Sequence, residues 1–486
     1  MQIGLLDQSI VLLYALAMLG VGLYLRRSIT TFEQFTIADR QLSAPLLVCT
    51  LVSTYYGLGV LLAGSEISYE SGVVNFFFDT SPAYLAILAA ALLLAPRLQG
   101  RSFRSIPDIV GARFGLVPQI CAALSCFIYA LPAFSIMGLG GLLHILFGIP
   151  FTWGLIIGSA LALAYTAMGG LLAVALTDTA QFALMAISLA LVGYIGLPIL
   201  GGVSSLEQTL PTHFEPTGGR PYALLFVYGL TSLSVLVEPA FYQRIFAARS
   251  QHTIVVAMLI GVVFWMSYDW IVTVLGIAAR AAVDSGYISE PSSPDQAVIH
   301  FAIHVLPNGI KGLFAAGIVA AAMSTVDSYL LVSASSLVYD IWHPLSGCRM
   351  SDAELVRRTR WTMLFTTVVN ILLCLYFRNV ERLWIFITAV LVCTSLIPVL
   401  SALCWPKVQR RAGRLTTIVG FVSVTSFYAW ISLCGEWVDD EATYLWQGQI
   451  FGRDLLINQD YGMLYILPLV FAVFVLAHLV PQRSEQ

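Results

Sequence analysis

Residues 317–340, GIVAAAMSTVDSYLLVSASSLVYD, form an apolar stretch long enough to cross a membrane, and polar side chains interrupt it near its middle. Ala321, Ser324, Thr325 and Ser328 follow the i, i+3, i+4, i+7 spacing that places residues on one face of a helix. Oxygens on that face can converge on one point, which would suit a small, hard cation. Alternatively, the hydroxyls bond to carbonyls of their own helix or join neighbouring helices.

The composition is that of a protein surrounded mostly by lipid. Of the 486 residues, 58% are apolar and only 10% are charged, which is typical of a polytopic membrane protein. The net charge is −3, and no loop is long enough for a soluble enzyme or a nucleic-acid-binding domain. We therefore predict one membrane domain over residues 1–486, with no catalytic residues and no nucleic-acid partner.

Thirteen apolar segments reach, or nearly reach, the roughly 20 residues that a spanning helix needs. These segments are 9–25, 44–69, 82–97, 117–147, 150–168, 170–200, 222–238, 253–279, 312–340, 361–377, 383–405, 414–434 and 462–480. The sequence therefore predicts an all-α integral membrane protein with about 13 transmembrane helices.

The distribution of basic residues predicts the orientation. With an odd number of spans the two termini lie on opposite sides of the membrane. If the N-terminus is outside, six of the 24 Lys and Arg residues lie on the outer side, and the other 18, Arg244 among them, lie in inner loops. The outer residues are Arg220, Arg280, Lys311, Arg378, Arg382 and Arg453. This bias fits the positive-inside rule, so we expect an outside N-terminus and a cytoplasmic C-terminus.

Several motifs resemble one known family. They are TAMGGLLAVALTDTAQ at 166–181, the glycine-interrupted LVCTLVSTYYGLGVLLAGSEISYESG at 47–72, EPAFYQRIFAARS at 238–250, which we expect in an inner loop, and MSTVDS at 323–328. FEQFTIADRQL at 32–42 adds a weaker match. Together, in this order, they resemble the sodium:solute symporter family, which includes the sodium/proline, sodium/pantothenate and sodium/glucose symporters.

The resemblance implies a LeuT-type fold in which two inverted five-helix repeats surround a site formed by broken helices. The repeats would cover about 44–200 and 222–405, with one peripheral helix before them at 9–25 and two after them at 414–434 and 462–480. It also implies a sodium-coupled secondary active symporter of the plasma membrane, or of the inner membrane in a bacterium. Its partners would be the bilayer, sodium and a small polar organic solute such as an amino acid, a carboxylate or a vitamin, without a cofactor.

Carried over by position, the family's main sodium site would use five residues. The ligands would be the backbone carbonyls of Ser53, Tyr56 and Ala321 and the side chains of Ser324 and Thr325. Oxygen ligands without a fixed charge suit a cation that must bind reversibly from both sides.

Asp178, Asp327 and Ser328 would belong to a second cation site or to the inward path of the ion. Two alternatives stay open from the sequence. Thr177 and Asp178 can instead cap or hydrate the inner part of their helix. Asp327 can pair with a basic residue instead of binding a cation.

The solute site is less well defined by the sequence. Candidates on the first core helix and its partners are Tyr55, Tyr56, Val60, Glu66, Asp79, Tyr129, Phe134 and Tyr228. For each aromatic residue the alternative is ordinary helix packing. If Glu66 or Asp79 faces the pocket, an amine, a zwitterion or a hydroxylated solute would be favoured over a simple anion.

Two other functions remain open at this point. A proton-coupled carrier on the same scaffold would rely on Asp178 or Asp327, and a non-transporting sensor would bind solute without accumulating it. His300 and His304 have metal-ligand spacing but no third ligand beside them, so we predict sodium as the only metal ion.

Overall fold

The structure is a computed structural model that describes residues 4–25, 29–98, 102–376, 380–438, 443–450 and 453–480. Its α-helices, numbered α1 to α21 in chain order, are Leu5–Leu25, Phe32–Ile37, Ala44–Tyr55, Leu58–Ser71, Ser81–Ala89, Ala95–Leu98, Ile106–Phe114, Leu116–Tyr129, Ala133–Phe147, Phe151–Ile199, Val203–Thr209, Tyr222–Thr231, Pro239–Ala247, Gln251–Asp284, Ala297–Val305, Ile310–Ser335, His343–Leu345, Asp352–Tyr376, Val380–Cys404, Arg410–Cys434 and Gly462–Leu479. Short 3₁₀ segments occur at Ala38–Arg40, Pro211–Phe214, Ser232–Val237, Pro294–Gln296 and Gln459–Tyr461, and π-helical segments at Asn75–Thr80, Ala90–Leu94 and Ser336–Trp342.

The helices follow the predicted apolar segments. Within the described residues, ten helices are long and apolar enough to cross a membrane, or eleven when α3 and α4 are counted as one bent span. The prediction of a multi-pass helical protein is confirmed, whereas the total of thirteen spans stays a prediction.

Helix α10 contains the Gly-Gly turn that the sequence predicts. Its 49 residues include a break at Gly170, where φ is 57° and ψ is −159°. A Cβ atom at this position would lie 2.5 Å from the carbonyl oxygen of Phe35. Only glycine fits here, because the backbone conformation is left-handed and another chain segment is in contact.

The all-α prediction is wrong between α20 and α21. Three antiparallel strands lie there in the order β1 (Glu436–Val438), β2 (Thr443–Ile450) and β3 (Arg453–Asn458). Strand β2 reads TYLWQGQI, and its β-branched and aromatic residues favour an extended conformation. A search for apolar helical segments does not detect so short a polar sheet.

The prediction that residues 238–250 form a loop is also wrong. After α12 the chain forms the 3₁₀ segment Ser232–Val237, passes through Glu238 in an extended conformation, and continues as α13. Glu238 accepts hydrogen bonds from the backbone amides of Ala240 and Phe241, and Pro239 occupies the first turn, so the sequence carries its own helix start. Helix α13 is buried, and Arg244 on it is fully buried.

Helix α16 is the centre of the molecule. Every residue from 314 to 334 is buried, as expected for a helix that is apolar on all sides. Its hydroxyl and carboxylate groups at 324–328 must therefore find partners within the protein.

Candidate functional site

The first core helix is broken at mid-length, as the glycines at 47–72 predict. Helix α3 ends at Tyr55 and α4 begins at Leu58, and the two helices are bent by 51°. Gly57 lies at the break, where a Cβ atom would be 1.4 Å from the Thr325 hydroxyl oxygen. Glycine is required because the broken backbone lies directly against α16.

The break places carbonyl groups beside two hydroxyls of α16. The Ser324 hydroxyl is 2.8 Å from the Ser53 carbonyl oxygen and 3.2 Å from that of Ala321. The Thr325 hydroxyl is 3.2 Å from the Ala321 carbonyl and 3.5 Å from that of Thr54. We call these five residues the hydroxyl cluster.

Four of the five predicted sodium ligands thus converge at one place. Tyr56 lies at the break itself, and its side chain points away, with its hydroxyl donating to Asp269. Thr54 was not predicted, although its position just before the break would have suggested it. The same contacts also fit the alternative to a cation site, in which the hydroxyls bond to carbonyls of their own helix and join it to a neighbour. Both hydroxyls bond to α16 itself and to α3.

A second polar cluster lies one helical turn further along α16. Arg244 Nη2 is 3.5 Å from Asp178 Oδ2 and 2.6 Å from the Ser328 hydroxyl. The Thr50 hydroxyl donates to Asp178 Oδ2 over 2.5 Å and accepts from Arg244 Nε over 3.0 Å. Asp327 Oδ2 accepts from the Tyr165 hydroxyl over 2.5 Å. We call Thr50, Tyr165, Asp178, Arg244, Asp327 and Ser328 the ionic cluster.

The ionic cluster is closed to solvent and unequally charged. Asp178, Arg244 and Asp327 each have a fully buried side chain, so two carboxylates face one guanidinium group. Asp178 Oδ1 has no hydrogen-bond partner in the described structure. Taking charges out of water is costly unless they are paired, so the second carboxyl group would favour either a further cation or a proton of its own.

These contacts bear on two of the alternatives for the carboxylates, whereas their role in binding a cation stays a prediction. Asp178 lies well inside the part of α10 after Gly170 and is fully buried, so it neither caps nor hydrates a helix end. The basic residue pairs with Asp178 rather than with Asp327. Arg244 is not recognisable as a partner from the sequence alone, because the motif at 238–250 predicts an inner loop.

A small cavity adjoins the hydroxyl cluster. Its volume is about 40 Å³, and its lining includes the predicted residues Tyr55, Val60, Tyr129 and Phe134. Thr54, Gly57, Gly59, Thr325, Tyr329, Trp384 and Ile387 also line it. Tyr329 could have been found from the sequence, because it lies four residues after Thr325 on the same helix face.

The other candidates for solute contact lie elsewhere. Glu66 lines a separate cavity of about 660 Å³ together with Asp295. Tyr228 packs in a small apolar cluster with Ile67 and Val74 and does not line the small cavity, so its contact with solute stays a prediction. The side chain of Asp79 lies outside the described part of the structure.

Glu238 is a functional candidate that the sequence reasoning missed. Its carboxylate, 1% exposed, caps the start of α13 at the second helix break. The Tyr329 side chain lies close enough to interact with it electrostatically, and Tyr129 packs against Tyr329 with ring centroids 6.2 Å apart. The signal in the sequence is an acidic residue directly before a proline within an apolar segment.

The predicted histidine pair lies on α15, away from both clusters. The rings of His300 and His304 are 4.5 Å apart, and burial lowers the pKa of His300 below its usual value. The described residues contain no group of three side chains suited to a metal ion.

The chain is similar in sequence to known proteins. The model of the sodium:solute symporter family matches residues 35–420. The osmoregulated proline transporter of Bacillus subtilis is 27% identical over 387 residues, covering 75% of this chain and 76% of the relative. The sodium/pantothenate symporter of Escherichia coli is 24% identical over 433 residues, covering 84% of this chain and 88% of the relative.

The fold also resembles a solved structure. A sodium-coupled sialic acid symporter, solved in a substrate-bound outward-open state, superposes with a TM-score of 0.79 at 18% identity, covering 99% of this chain and all of that one. At this level of identity the likeness establishes the shared fold.

Proposed function

The chain belongs to the sodium:solute symporter family, and from this premise we propose that it is a sodium-coupled secondary active symporter that imports a small polar organic solute by alternating access. The observation that carries the proposal is the hydroxyl cluster. Two hydroxyls of a fully buried helix meet backbone carbonyls at a helix break, beside a cavity lined by aromatic residues.

The chemistry of the hydroxyl cluster fits a sodium ion. The oxygens of Ser53, Ala321, Ser324 and Thr325 are hard ligands without a fixed charge, and the break frees carbonyls that a regular helix would use internally. The Tyr56 carbonyl at the break would complete the set. Each hydroxyl can rotate its proton away and direct a lone pair toward the ion.

The positions of the two helix breaks support the proposed repeats. The first helix of the repeat at about 44–200 is interrupted at 56–57, and the first helix of the repeat at about 222–405 is interrupted at 232–238. Equivalent breaks in two repeats are typical of transporters with a midplane site. We propose thirteen spans in one domain, with the N-terminus outside and the C-terminus cytoplasmic.

The ionic cluster would lie on the inward path of sodium. The guanidinium group of Arg244 already bridges Asp178 and Ser328. We therefore assign Asp327 and the unpartnered oxygen of Asp178 to transient contact with the leaving ion, rather than to a second permanent site.

The walls of the small cavity favour a solute that offers hydrogen-bond donors. Its lining contains aromatic residues and no Lys or Arg, and the Glu238 carboxylate lies behind Tyr329. An amine or a zwitterion would be stabilised there, whereas a simple anion would face the carboxylate. Among the expected classes, an amino acid would suit these walls better than a simple carboxylate, once the cavity of about 40 Å³ widens to admit it.

The coupling energy is sufficient for uptake. Each charge that moves with the membrane potential gains about 2.3 kcal/mol per 100 mV, before the concentration gradient is counted. One sodium ion per solute can therefore support accumulation.

Purified protein in liposomes tests the proposal. A mixed pool of labelled amino acids, sugars, vitamins and carboxylates is supplied with an inward sodium gradient, and the screen is repeated with potassium in place of sodium. We expect accumulation of one compound only with sodium. If a proton gradient in potassium buffer drives as much accumulation as the sodium gradient, the protein is a proton-coupled carrier instead. If a compound binds but does not accumulate, the protein is a sensor.

A further inference from the structure

A cavity of about 400 Å³ lies where α6 ends and α14 begins. Its polar lining consists of Glu33, Arg40, Ser102, Arg104 and Arg249, and we call it the basic cavity. Three guanidinium groups face one carboxylate, so the lining carries two formal positive charges. This part of the molecule has no role in the proposed sodium or solute sites.

The single carboxylate is shared between two of the arginines. Glu33 Oε1 is 3.0 Å from Arg40 Nε, and Glu33 Oε2 is 3.2 Å from Arg104 Nη2. Arg249 is exposed and forms no ion pair with the described residues. Each paired arginine keeps further N–H donors, because a guanidinium group carries five.

The backbone that carries Arg40 is strained. Ala38, Asp39 and Arg40 have φ values of 48°, 50° and 56°, a left-handed conformation that is unfavourable for residues other than glycine. The neighbouring Leu42 is held in place by a backbone bridge to Ala248, with Leu42 N donating to the Ala247 carbonyl over 3.0 Å. The cavity wall is thus a fixed arrangement that joins the α2 region to the end of α13.

The rest of the lining is mainly apolar. Leu98 ends α6, Ile254 lies in the first turn of α14, and Phe246 comes from α13. Because the segments that contain α6 and α14 are candidate spans, the cavity lies near a membrane surface. A ligand there would meet arginines on one side and the edge of the apolar layer on the other.

We propose that the basic cavity binds an anionic phosphate ester, such as a phospholipid headgroup. Arginine pairs with phosphate through two parallel hydrogen bonds, and basic pockets between helices on the cytoplasmic side are suited to anionic headgroups. The net charge of the lining selects an anionic ester over a zwitterionic one. A bound ester would bridge Arg40 in the 3₁₀ segment after α2, Arg104 and Arg249 in the segment after α13.

The test measures binding to the full-length protein in detergent micelles. The probe is phosphatidylglycerol with a fluorescent acyl chain, and unlabelled phosphatidylglycerol, phosphatidylcholine and inorganic phosphate serve as competitors at equal ionic strength. We expect Arg249→Ala to weaken binding about fivefold and Arg104→Gln with Arg249→Ala about 25-fold, at about 1 kcal/mol per arginine. Arg411→Ala, an exposed arginine outside the cavity, should leave binding unchanged.

The competitors identify the source of the ligand. Competition by inorganic phosphate as well as by phosphatidylglycerol would assign the site to free phosphate compounds, and competition by phosphatidylglycerol alone would assign it to the bilayer. Equal affinity for phosphatidylglycerol and phosphatidylcholine, or unchanged affinity in a monodisperse Arg249→Ala protein, would overturn the proposal. This assay needs no transport, so its outcome is independent of the proposed symport.

Discussion

Two polar clusters lie one turn apart on α16, and they are built differently. The hydroxyl cluster around Ser324 and Thr325 contains only neutral oxygens, and its hydroxyls face carbonyls of the broken helix. The ionic cluster around Asp327 and Ser328 contains two carboxylates and its own cation, Arg244. Both clusters are buried in the same layer of the protein.

The difference indicates which cluster can hold a mobile ion. Neutral ligands can lose their cation without leaving a net charge in the membrane interior, so binding and release are both accessible. The ionic cluster would leave the buried carboxylate of Asp178 without its ion pair if Arg244 moved away, and burial of unpaired charge is strongly unfavourable. We therefore propose that Arg244 is a permanent structural cation and that the sodium ion proposed for the hydroxyl cluster is the exchangeable one.

The largest expected effect comes from removing the permanent cation. Arg244→Gln leaves Asp178 and Asp327 facing each other without a guanidinium group, and breaking a buried pair in this way costs about 3–5 kcal/mol. We expect a marked loss of folded protein by size-exclusion chromatography and a lower Tm. The double variant Asp178→Asn with Arg244→Gln should recover part of the loss.

The matched control for this variant is Arg411→Ala, which removes an exposed arginine of the same chain. A normal Tm for Arg244→Gln would show that the ionic cluster does not depend on its cation, and the distinction between the two clusters would then fail.

The next effect concerns the contact between the broken helix and the hydroxyl cluster. In Gly57→Ala the new Cβ atom would overlap the Thr325 hydroxyl. The helix break must therefore move away from α16, and the carbonyl oxygens at the break then lie too far from α16 to share a cation with its hydroxyls. We expect sodium-stimulated uptake to fall at least about tenfold, the equivalent of 1.4 kcal/mol or more in transition-state stabilisation. Gly193→Ala is the control, since a Cβ atom there meets nothing within 4 Å. Equal uptake by the two variants would contradict the account.

A smaller effect is expected at the second helix break. Glu238→Gln keeps a hydrogen-bonding side chain at the start of α13 but removes its charge. If the solute offers a cationic group to this side of the cavity, its KM should rise about tenfold, in line with about 1.5 kcal/mol for a hydrogen bond to a charged group. The sodium dependence should stay unchanged. The comparison is Glu66→Gln, in the separate cavity of about 660 Å³, and a larger KM change in that variant would place the solute there.

The smallest effect is expected at Tyr228, which packs in the small apolar cluster with Ile67 and Val74. Tyr228→Phe removes a hydroxyl that lies 3.5 Å from Arg220 Nη1, outside both clusters and the small cavity. We expect less than a twofold change in the solute KM, measured as initial uptake rates over a range of solute concentrations. A tenfold change in the solute KM would indicate that Tyr228 contacts the solute.

Much of the hydroxyl cluster could be predicted because it depends on local periodicity. Ser324, Thr325 and Ala321 lie on one helix face by spacing alone, and Gly57 marks a break in an apolar segment. The partners from α3 required the family resemblance, since nothing in the spacing relates Ser53 to Ser324, which are 271 residues apart.

The ionic cluster could be predicted only in part. Hydropathy places a basic residue outside the membrane, but Arg244 is buried because Asp178, Thr50 and Ser328 satisfy it from three other helices. The β1–β3 sheet was not predicted either, because its strands are short and polar and hydropathy identifies only long apolar segments.

The most direct test of the exchangeable ion is a sodium activation curve of solute uptake in proteoliposomes. The variant is Ser324→Ala with Thr325→Ala, and the control is Ser333→Ala on the same helix. Among the residues that the structure describes, the buried Ser333 hydroxyl bonds only to the Leu330 carbonyl. The account predicts that the double variant, inserted and monodisperse, loses sodium stimulation while the control keeps it. A double variant with the same sodium activation as the control would contradict the assignment of the hydroxyl cluster as the sodium site.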